Sequence, residues 1–311
     1  MQNSALWFRQ FGQPEHVITL EQSDIAPRPC GMLRVQMRYA PVNPSDLIPV
    51  TGAYSHRVTP PRVVGYEGVG VVTDADNPEF IGQRVLPLRG EGTWQRLLDC
   101  SPQWAVPVPD SIPDLLAARG YINPLAAWVM LKKWPVRGKT VLLTAANSSC
   151  AALLAQWACL QGAQNIWGVC RSKEQTAALH EQGIKPVLID DVNVLNMAAQ
   201  QADVVFDAVG GELATRLLTN LKAEADFVSY GLLSGQPFDA RGARAKPQRF
   251  HLRDTLAVTD SHEWQQWFVE LWPLLAKSQL PEVTLFGLAQ WREALREFAV
   301  AGRRCKPVLA L

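Results

Sequence analysis

Short apolar runs of β-type residues, separated by Pro, Gly and Asp, dominate roughly the first hundred positions, at 32–39, 63–73, 84–88 and 94–98. They predict an irregular all-β region. Near Pro113 the spacing turns helical, with Leu115, Leu116 and Ala118 and then the run 126–131. From Lys139 onward strand and helix alternate. A buried strand at 141–144 is followed by a helix at 151–160, a strand at 165–170 and a helix at 173–182. Further short strands are expected at 187–190, 204–208, 227–230 and 256–258, with helical stretches between several of them. Such alternation predicts a parallel, doubly wound sheet with helices on both faces. The C-terminal stretch adds a Trp-rich helix at 264–276, a helix at 288–299 and a strand at 306–311. The expected organisation is therefore an α/β molecule of two domains, 1–115 with 263–311 and 116–262, and a ligand cleft is expected where they meet.

Composition narrows the partners. With 48% hydrophobic residues in 311, the chain has the material for a large core, and 30 Lys and Arg against 29 Asp and Glu leave a net charge of +1. No overall field exists to hold nucleic acid or an anionic membrane, which points to small molecules or protein. Arg9 and Gln10 interrupt segment 1–12 as a secretory signal, and Asn147, Ser148, Ser149, Gln156 and Gln161 interrupt the apolar stretch 140–163 as a membrane span. A cytoplasmic protein is expected. The six cysteines form no C-x-x-C pair, and the five histidines never stand at i, i+4.

The turn after the first parallel strand carries the candidate chemistry. Dinucleotide folds usually place glycines there, for a tight bend, close approach of the diphosphate and helix packing. Here the turn reads Thr144-Ala145-Ala146-Asn147-Ser148-Ser149-Cys150-Ala151, without glycine. Asn147 is the residue type that best tolerates a left-handed backbone after glycine, Ser148 and Ser149 bring hydroxyl donors, and Ala151 is small. Two readings stay open, an ordinary Asn or Ser helix cap and a phosphate seat at a helix N-terminus. About twenty residues on, where this fold reads the adenosine ribose, the second strand closes on Cys170-Arg171-Ser172-Lys173. Arg171 and Lys173 suit a 2′-phosphate, so the chain leans to NADPH; plain solvated charges are the alternative.

Other motifs recur in register along the chain. They are Ala40-Pro41-Val42-Asn43-Pro44-Ser45-Asp46, Thr51-Gly52-Ala53-Tyr54, Gly65-Tyr66-Glu67-Gly68-Val69-Gly70-Val71-Val72, Gly82-Gln83-Arg84-Val85 and Gly92-Thr93-Trp94. Farther on come Asn123-Pro124-Leu125-Ala126-Ala127-Trp128, Asp207-Ala208-Val209-Gly210-Gly211 and Tyr230-Gly231. In order and spacing the chain resembles the mitochondrial-type trans-2-enoyl-thioester reductases and the related zinc-free quinone reductases of the medium-chain dehydrogenase/reductase superfamily. The resemblance covers essentially the whole chain. It implies a GroES-like β domain and a Rossmann-type NADP-binding domain.

The resemblance also implies site residues. Zinc-bearing members of the superfamily would have Cys at Asn43 and His at Tyr66, so no metal is expected. Tyr54 maps to the proton donor that serves the substrate α-carbon while hydride from NADPH reaches the β-carbon of a 2-enoyl thioester, on CoA or a carrier protein. Taken alone, Tyr54 reads equally as a loop tyrosine that packs its ring. Cofactor contacts are implied at Asn43, at Asn123 near the nicotinamide, and at Asn147, Ser148, Ser149 and Cys150 on the phosphate turn. Arg171, Ser172 and Lys173 map to the ribose phosphate, Tyr230, Gly231, Leu232 and Leu233 to a strand-end contact, and Lys306 to a C-terminal lysine. Ser149 and Ala151 depart from the pattern, because relatives usually have glycine there. A homodimer pairing through an edge strand near 256–259 is implied as well.

Two further segments are ambiguous. The loop 236–250 holds Arg241, Arg244, Lys246 and Arg249 against Asp239, and reads either as solvated or as a seat for CoA phosphates or an acidic carrier. Trp264, Trp267 and Trp272 read as core or subunit contact. Three functions are compatible with this sequence: an enoyl-thioester reductase, an NADPH:quinone or reactive-enone reductase, and a non-catalytic interaction protein that kept the fold.

Overall fold

The computed structural model describes residues 2–88, 92–300 and 302–311; Met1, at the head of the segment weighed above as a signal, lies outside them. In chain order the elements begin with β1 (Gln2–Phe8), α1 (Pro14–Val17), β2 (Ile18–Asp24), β3 (Leu33–Pro41), α2 (Pro44–Leu47), β4 (Arg62–Val63) and β5 (Val69–Asp74). Then follow β6 (Arg84–Pro87), β7 (Leu97–Cys100), β8 (Ala105–Pro107), α3 (Asp114–Ala117) and α4 (Ile122–Lys133). The alternating part consists of β9 (Thr140–Leu143), α5 (Ser149–Leu160), β10 (Asn165–Cys170), α6 (Thr176–Glu181), β11 (Lys185–Leu188), α7 (Val192–Gln201), β12 (Val204–Asp207), α8 (Gly211–Asn220), β13 (Asp226–Ser229) and β14 (Pro247–Arg249). The chain closes with α9 (Leu252–Leu256), α10 (Ser261–Ala276), β15 (Val283–Gly287), α11 (Trp291–Ala299) and β16 (Lys306–Ala310).

These elements form two units. The first comprises Met1–Ile122, Thr259–Lys277 and Pro281–Leu311, and the second Asn123–Val258 with Ser278–Leu280. The division after Ile122, rather than at 115, follows from Glu67, whose carboxylate accepts the backbone N–H groups of Tyr121 and Ile122 and holds that stretch to the β unit.

In the β unit, a seven-stranded sheet runs β15-β16-β3-β5-β6-β8 with β7 also on β3, and a three-stranded sheet runs β2-β1-β4. Strand alternation is plain in β3, where Leu33, Val35 and Met37 are buried in one cluster and Ala40 in another. Helix α11 buries Trp291, Ala294 and Leu295, the i, i+3, i+4 stripe of an amphipathic helix, against the core that contains Leu6, Phe8, Val42, Val50 and Trp94. Helix α10 is capped by Asp260, which accepts from the N–H of Glu263 at 2.8 Å. Its Trp264 and Trp272 are core residues, with indole N–H groups donating to the carbonyls of Trp104 and Pro107.

The α/β unit carries one fully parallel sheet in the order β11-β10-β9-β12-β13-β14. Counted from β9, that is the 3-2-1-4-5-6 order of a dinucleotide-binding fold. β9 and β12 are buried at every position, as expected of strands covered on both faces. The strand expected at 256–258 is not one. Leu256 ends α9, and Val258 is 85% exposed in a turn. The sheet edge is instead β14, so the pairing edge expected near 256–259 falls in helix and turn. Among the described residues, no helix is long and apolar enough to cross a membrane.

Gly65 shows how tightly the β unit is drawn together. Its φ is +98°, and a Cβ there would run into Trp94 Cδ1 and Thr93 Oγ1, whereas Gly82 has φ +84° with open space around it. Gly65→Ala should therefore cost about 2–5 kcal/mol, combining backbone strain and overpacking, and Gly82→Ala only about 1–2 kcal/mol of strain. Urea denaturation of both variants checks this, and equal losses would refute the crowding.

Candidate functional site

In an open parallel sheet, ligands gather outside the carboxyl ends of the strands where the winding reverses, here between β9 and β12. The two turns that leave those strands are tied by a single side chain. Asp207, fully buried at the end of β12, accepts from Thr144 Oγ1 at 2.8 Å, from the N–H of Val209 at 3.1 Å and from the N–H of Gly210 at 3.0 Å. Thr144 Oγ1 in turn accepts from the N–H of Ala208 at 2.8 Å. Burial raises the Asp207 carboxyl, and these donors oppose that shift.

The glycine-free turn keeps its bend at an unexpected place. The left-handed residue is Ala145, with φ 48°, and not Asn147, which is exposed. Ser148 is the N-cap of α5, its hydroxyl accepting from the N–H of Ala151 at 3.3 Å. Ser149 and Cys150 open this twelve-residue helix, and the first N–H groups of any helix have no intrahelical acceptor. Ala151, one of the departures from the glycine pattern, is fully buried, and Ser149 is half-buried.

Several expected site residues do come together here. Cys150 Sγ lies 3.9 Å from the carbonyl of Asn123 at the start of α4, and the Tyr230 phenol faces Cys150 and Ser148. That hydroxyl is buried without a hydrogen-bond partner. Burial pushes Tyr230 well above the ordinary phenol range, with Cys150 adding to the shift, and pushes the Cys150 thiol up to about 12. Both are neutral at physiological pH. Gly231 follows, where a Cβ would stand 2.7 Å from the Ala208 carbonyl, and then Leu232 and Leu233, 52% and 55% exposed. Past the end of β10, Arg171 and Lys173 are exposed and Ser172 is half-buried.

This arrangement fits a dinucleotide. It offers free N–H groups at a helix start, an orphaned buried hydroxyl beside them, small side chains in the turn, exposed apolar residues at the β13 end and two cations after β10.

The β unit holds the remaining candidates. Tyr54 lies in the turn after the 3-10 helix Ile48–Thr51, half-buried, its ring packed against the core around Val50 and Val58 and 6.2 Å from the His56 ring. Asn43 and Lys306 are both buried. Lys306 Nζ donates to Asn43 Oδ1 at 2.6 Å, and Asn43 Nδ2 donates to Glu67 Oε1 at 2.7 Å. Asp46 accepts from the N–H of Asn43 and of Tyr66 at 2.8 and 2.9 Å. Sequence reasoning quoted Asp46, Glu67 and Asp207 within motifs but gave them no role. Their signal is an acid inside an otherwise apolar or glycine-rich motif.

The alcohol dehydrogenase GroES-like domain model matches residues 30–110. The chain is 30% identical over 258 residues to the mitochondrial enoyl-[acyl-carrier-protein] reductase of Xenopus tropicalis, covering 75% of this chain and 71% of that protein. A Bacillus thuringiensis protein provisionally named an NADPH:quinone reductase superposes with a TM-score of 0.93 at 33% identity, over 100% of this chain and 99% of that one. The structure of Etr1p with NADP and crotonyl-CoA shares the fold, with a TM-score of 0.83 at 18% identity over 100% of both chains.

The buried charges of the β unit set a pH signature. Burial first, then repulsion from Glu67, pushes the Asp46 carboxyl from 3.8 up to about 7, and burial pulls Lys306 from 10.5 down to about 8. Between about pH 4 and 7 the folded state holds a proton on Asp46 that the unfolded chain has released, so this group loses stability as pH rises. Between about 8 and 10.5 the folded Lys306 has released a proton that the unfolded chain retains, so stability returns. Their joint contribution is lowest between about pH 7 and 8. Asp46→Asn should make the falling limb between pH 4 and 7 shallower in melting-temperature profiles, leaving the part due to the Glu67 and Asp207 carboxyls that burial also raises, and profiles parallel to those of the parent would refute it.

Proposed function

This chain belongs to the medium-chain dehydrogenase/reductase superfamily, in the branch that holds its enoyl-[acyl-carrier-protein] reductase and NADPH:quinone reductase relatives, and on that premise we propose that it reduces a 2-enoyl thioester with NADPH. It is an oxidoreductase. The observation that carries the finer reading is Tyr54, a phenol whose ring is anchored on the core of the β unit while part of it stays exposed. A proton donor needs that combination of fixed position and access.

NADPH would supply the hydride that the β-carbon of the substrate receives. The helix start at Ser148, Ser149 and Cys150, with Asn147 beside it, would hold the diphosphate, and the dipole of α5 favours that charge. Arg171, with Ser172 and Lys173, would pair with the 2′-phosphate. Asn123 would lie against the nicotinamide, and Tyr230, Gly231, Leu232 and Leu233 would line its path. Neutral Tyr230 and Cys150 suit this role, since an anion at either would repel the phosphates. Negative charge gathers on the thioester oxygen as hydride arrives, and Tyr54 would then give its phenolic proton to the α-carbon.

The 33% identity to the Bacillus protein favours a second reading, reduction of a quinone or reactive enone on the same scaffold, in which Tyr54 is dispensable.

Two experiments separate these elements. NADPH should bind at least about tenfold more tightly than NADH, and Arg171→Glu should shrink that ratio by roughly ten- to a hundredfold, the worth of one or two charge-assisted hydrogen bonds. Quenching of tryptophan fluorescence measures both affinities, and equal values for the parent would remove the 2′-phosphate argument. Tyr54→Phe keeps the ring packing and deletes the donor. NADPH affinity should survive while kcat for a 2-enoyl-CoA falls about a hundred- to ten-thousandfold with KM nearly unchanged, and quinone reduction changes far less. An unaltered rate with enoyl-CoA would sink the donor assignment and favour the quinone reading.

A further inference from the structure

Likeness to relatives assigns Asn43 and Lys306 to the cofactor, yet Asn43 is 1% exposed and Lys306 6%, and each is committed to the other. From Lys306 the hydrogen bonds continue without a gap. The ammonium donates to Asn43 Oδ1 at 2.6 Å, Asn43 Nδ2 donates to Glu67 Oε1 at 2.7 Å, and Glu67 Oε2 accepts from the N–H of Ile122 at 2.7 Å and of Tyr121 at 3.2 Å. A primary amide between an ammonium and a carboxylate has one orientation only, carbonyl toward the cation and NH2 toward the anion. The run therefore has a fixed direction, from strand β16 to the first residue of the twelve-residue helix α4.

Charge explains why the run has to be complete. Burial raises the Glu67 carboxyl, while the N–H of Ile122, the Lys306 charge and the Asn43 amide oppose that shift, and an anion buried so deeply is strongly destabilising unless it is paired and hydrogen-bonded. Its countercharge is Lys306, carried through the amide, with Arg119 adding a weaker favourable field. The Phe298 ring, 5.9 Å from the ammonium, lies against the same cation. At the far end, an anion at the first N–H groups of α4 is favoured by the helix dipole.

We propose that Lys306, Asn43 and Glu67 form a charge relay that fixes the start of α4, and with it the backbone that runs directly into Asn123, so that Glu67 and Lys306 are positioning residues rather than cofactor ligands. The functional half of this rests on the reading of the chain as a reductase with Asn123 at the nicotinamide. Burial lowers the Lys306 ammonium while Glu67 and Asp46 hold it up, so its charge is kept by the protein's own carboxylates.

A double-mutant cycle of Lys306→Met, Glu67→Gln and the pair tests the relay, read by hydrogen exchange at the amides of Tyr121 and Ile122 and by kcat and KM for NADPH oxidation with a 2-enoyl-CoA. Lys306→Met leaves Glu67 buried and uncompensated. Exchange at both amides should quicken by about tenfold or more, and kcat should fall about tenfold while KM for NADPH moves less than about threefold. In the pair Glu67 is no longer an anion and Asp46, the other carboxyl near Lys306, is pushed up to about 7 and is mostly protonated below that pH, while Glu67→Gln retains an acceptor for Ile122. The pair should then recover to within about threefold of Glu67→Gln alone in both readouts. A Lys306→Met protein that fails to fold, with recovery in the pair, shows the same coupling; a pair that also fails overturns the relay. A rise in KM for NADPH that the pair does not reverse makes Lys306 a cofactor ligand and overturns it too, as does unchanged exchange in both single variants. Quickened exchange in a chain that oxidises no NADPH supports the relay and sinks the reductase reading instead.

Discussion

A carboxylate withdrawn from water must be met by donors, and Asp207 meets that requirement at the one place where the parallel sheet reverses its winding. Its oxygens take the Thr144 hydroxyl from the turn after β9 and two backbone N–H groups from the turn after β12. The segment expected to hold phosphate and the glycine turn beside it are thereby one rigid piece. Much else in the α/β unit follows. With the β12 turn pinned, Gly210 and Gly211 take left-handed backbone, at φ 71° and 60°, to enter α8, and Gly231 passes the Ala208 carbonyl at a distance no side chain would allow.

The same rigidity accounts for a nucleotide-type turn without glycine. A left-handed alanine costs about 1–2 kcal/mol. Ala145 is held there by the strands on either side, since Thr144 is tied to Asp207 and the N–H of Ala146 donates to the Val169 carbonyl at 3.0 Å. The strain is thus offset by bonds outside the turn, and the small side chains of Ala146 and Ala151 disappear into the core. What reaches the surface is the capping serine and the open helix start, the features an anion would meet.

The sequence was legible where burial was two-sided or strictly periodic. Val141–Leu143 and Val204–Phe206 read as parallel strands because both faces are covered, and the i, i+3, i+4 stripe of α11 is equally plain. Where one side is open, the pattern fades. β14, Pro247-Gln248-Arg249, has no apolar signature because it closes the sheet edge, and the short run at 256–258 is as compatible with the end of a helix as with a strand. β2 was invisible for the same reason, with only Ile18 buried. In the candidate site, the turn, the two basic residues after β10 and Tyr54 are expectations drawn from position and likeness. The parts played by Asp207 and Glu67 were not legible, because their partners stand far off in sequence: Thr144 is 63 residues from Asp207, and Ile122 is 55 from Glu67.

The β unit meets its buried acids in a different way, and that choice bears on the chemistry. Where a metal-binding relative would place a cysteine, this chain has an amide whose oxygen holds an ammonium at 2.6 Å. A divalent cation seated at Asn43 would lie within about 4 Å of that charge, and the repulsion at an effective dielectric of about 20 is on the order of 8 kcal/mol. Lys306 and Glu67 also lie in each other's field through the Asn43 amide. Tyr54, in contrast to these buried groups, is anchored by its ring on the core of the unit and stays partly open to solvent, the combination a proton donor would need.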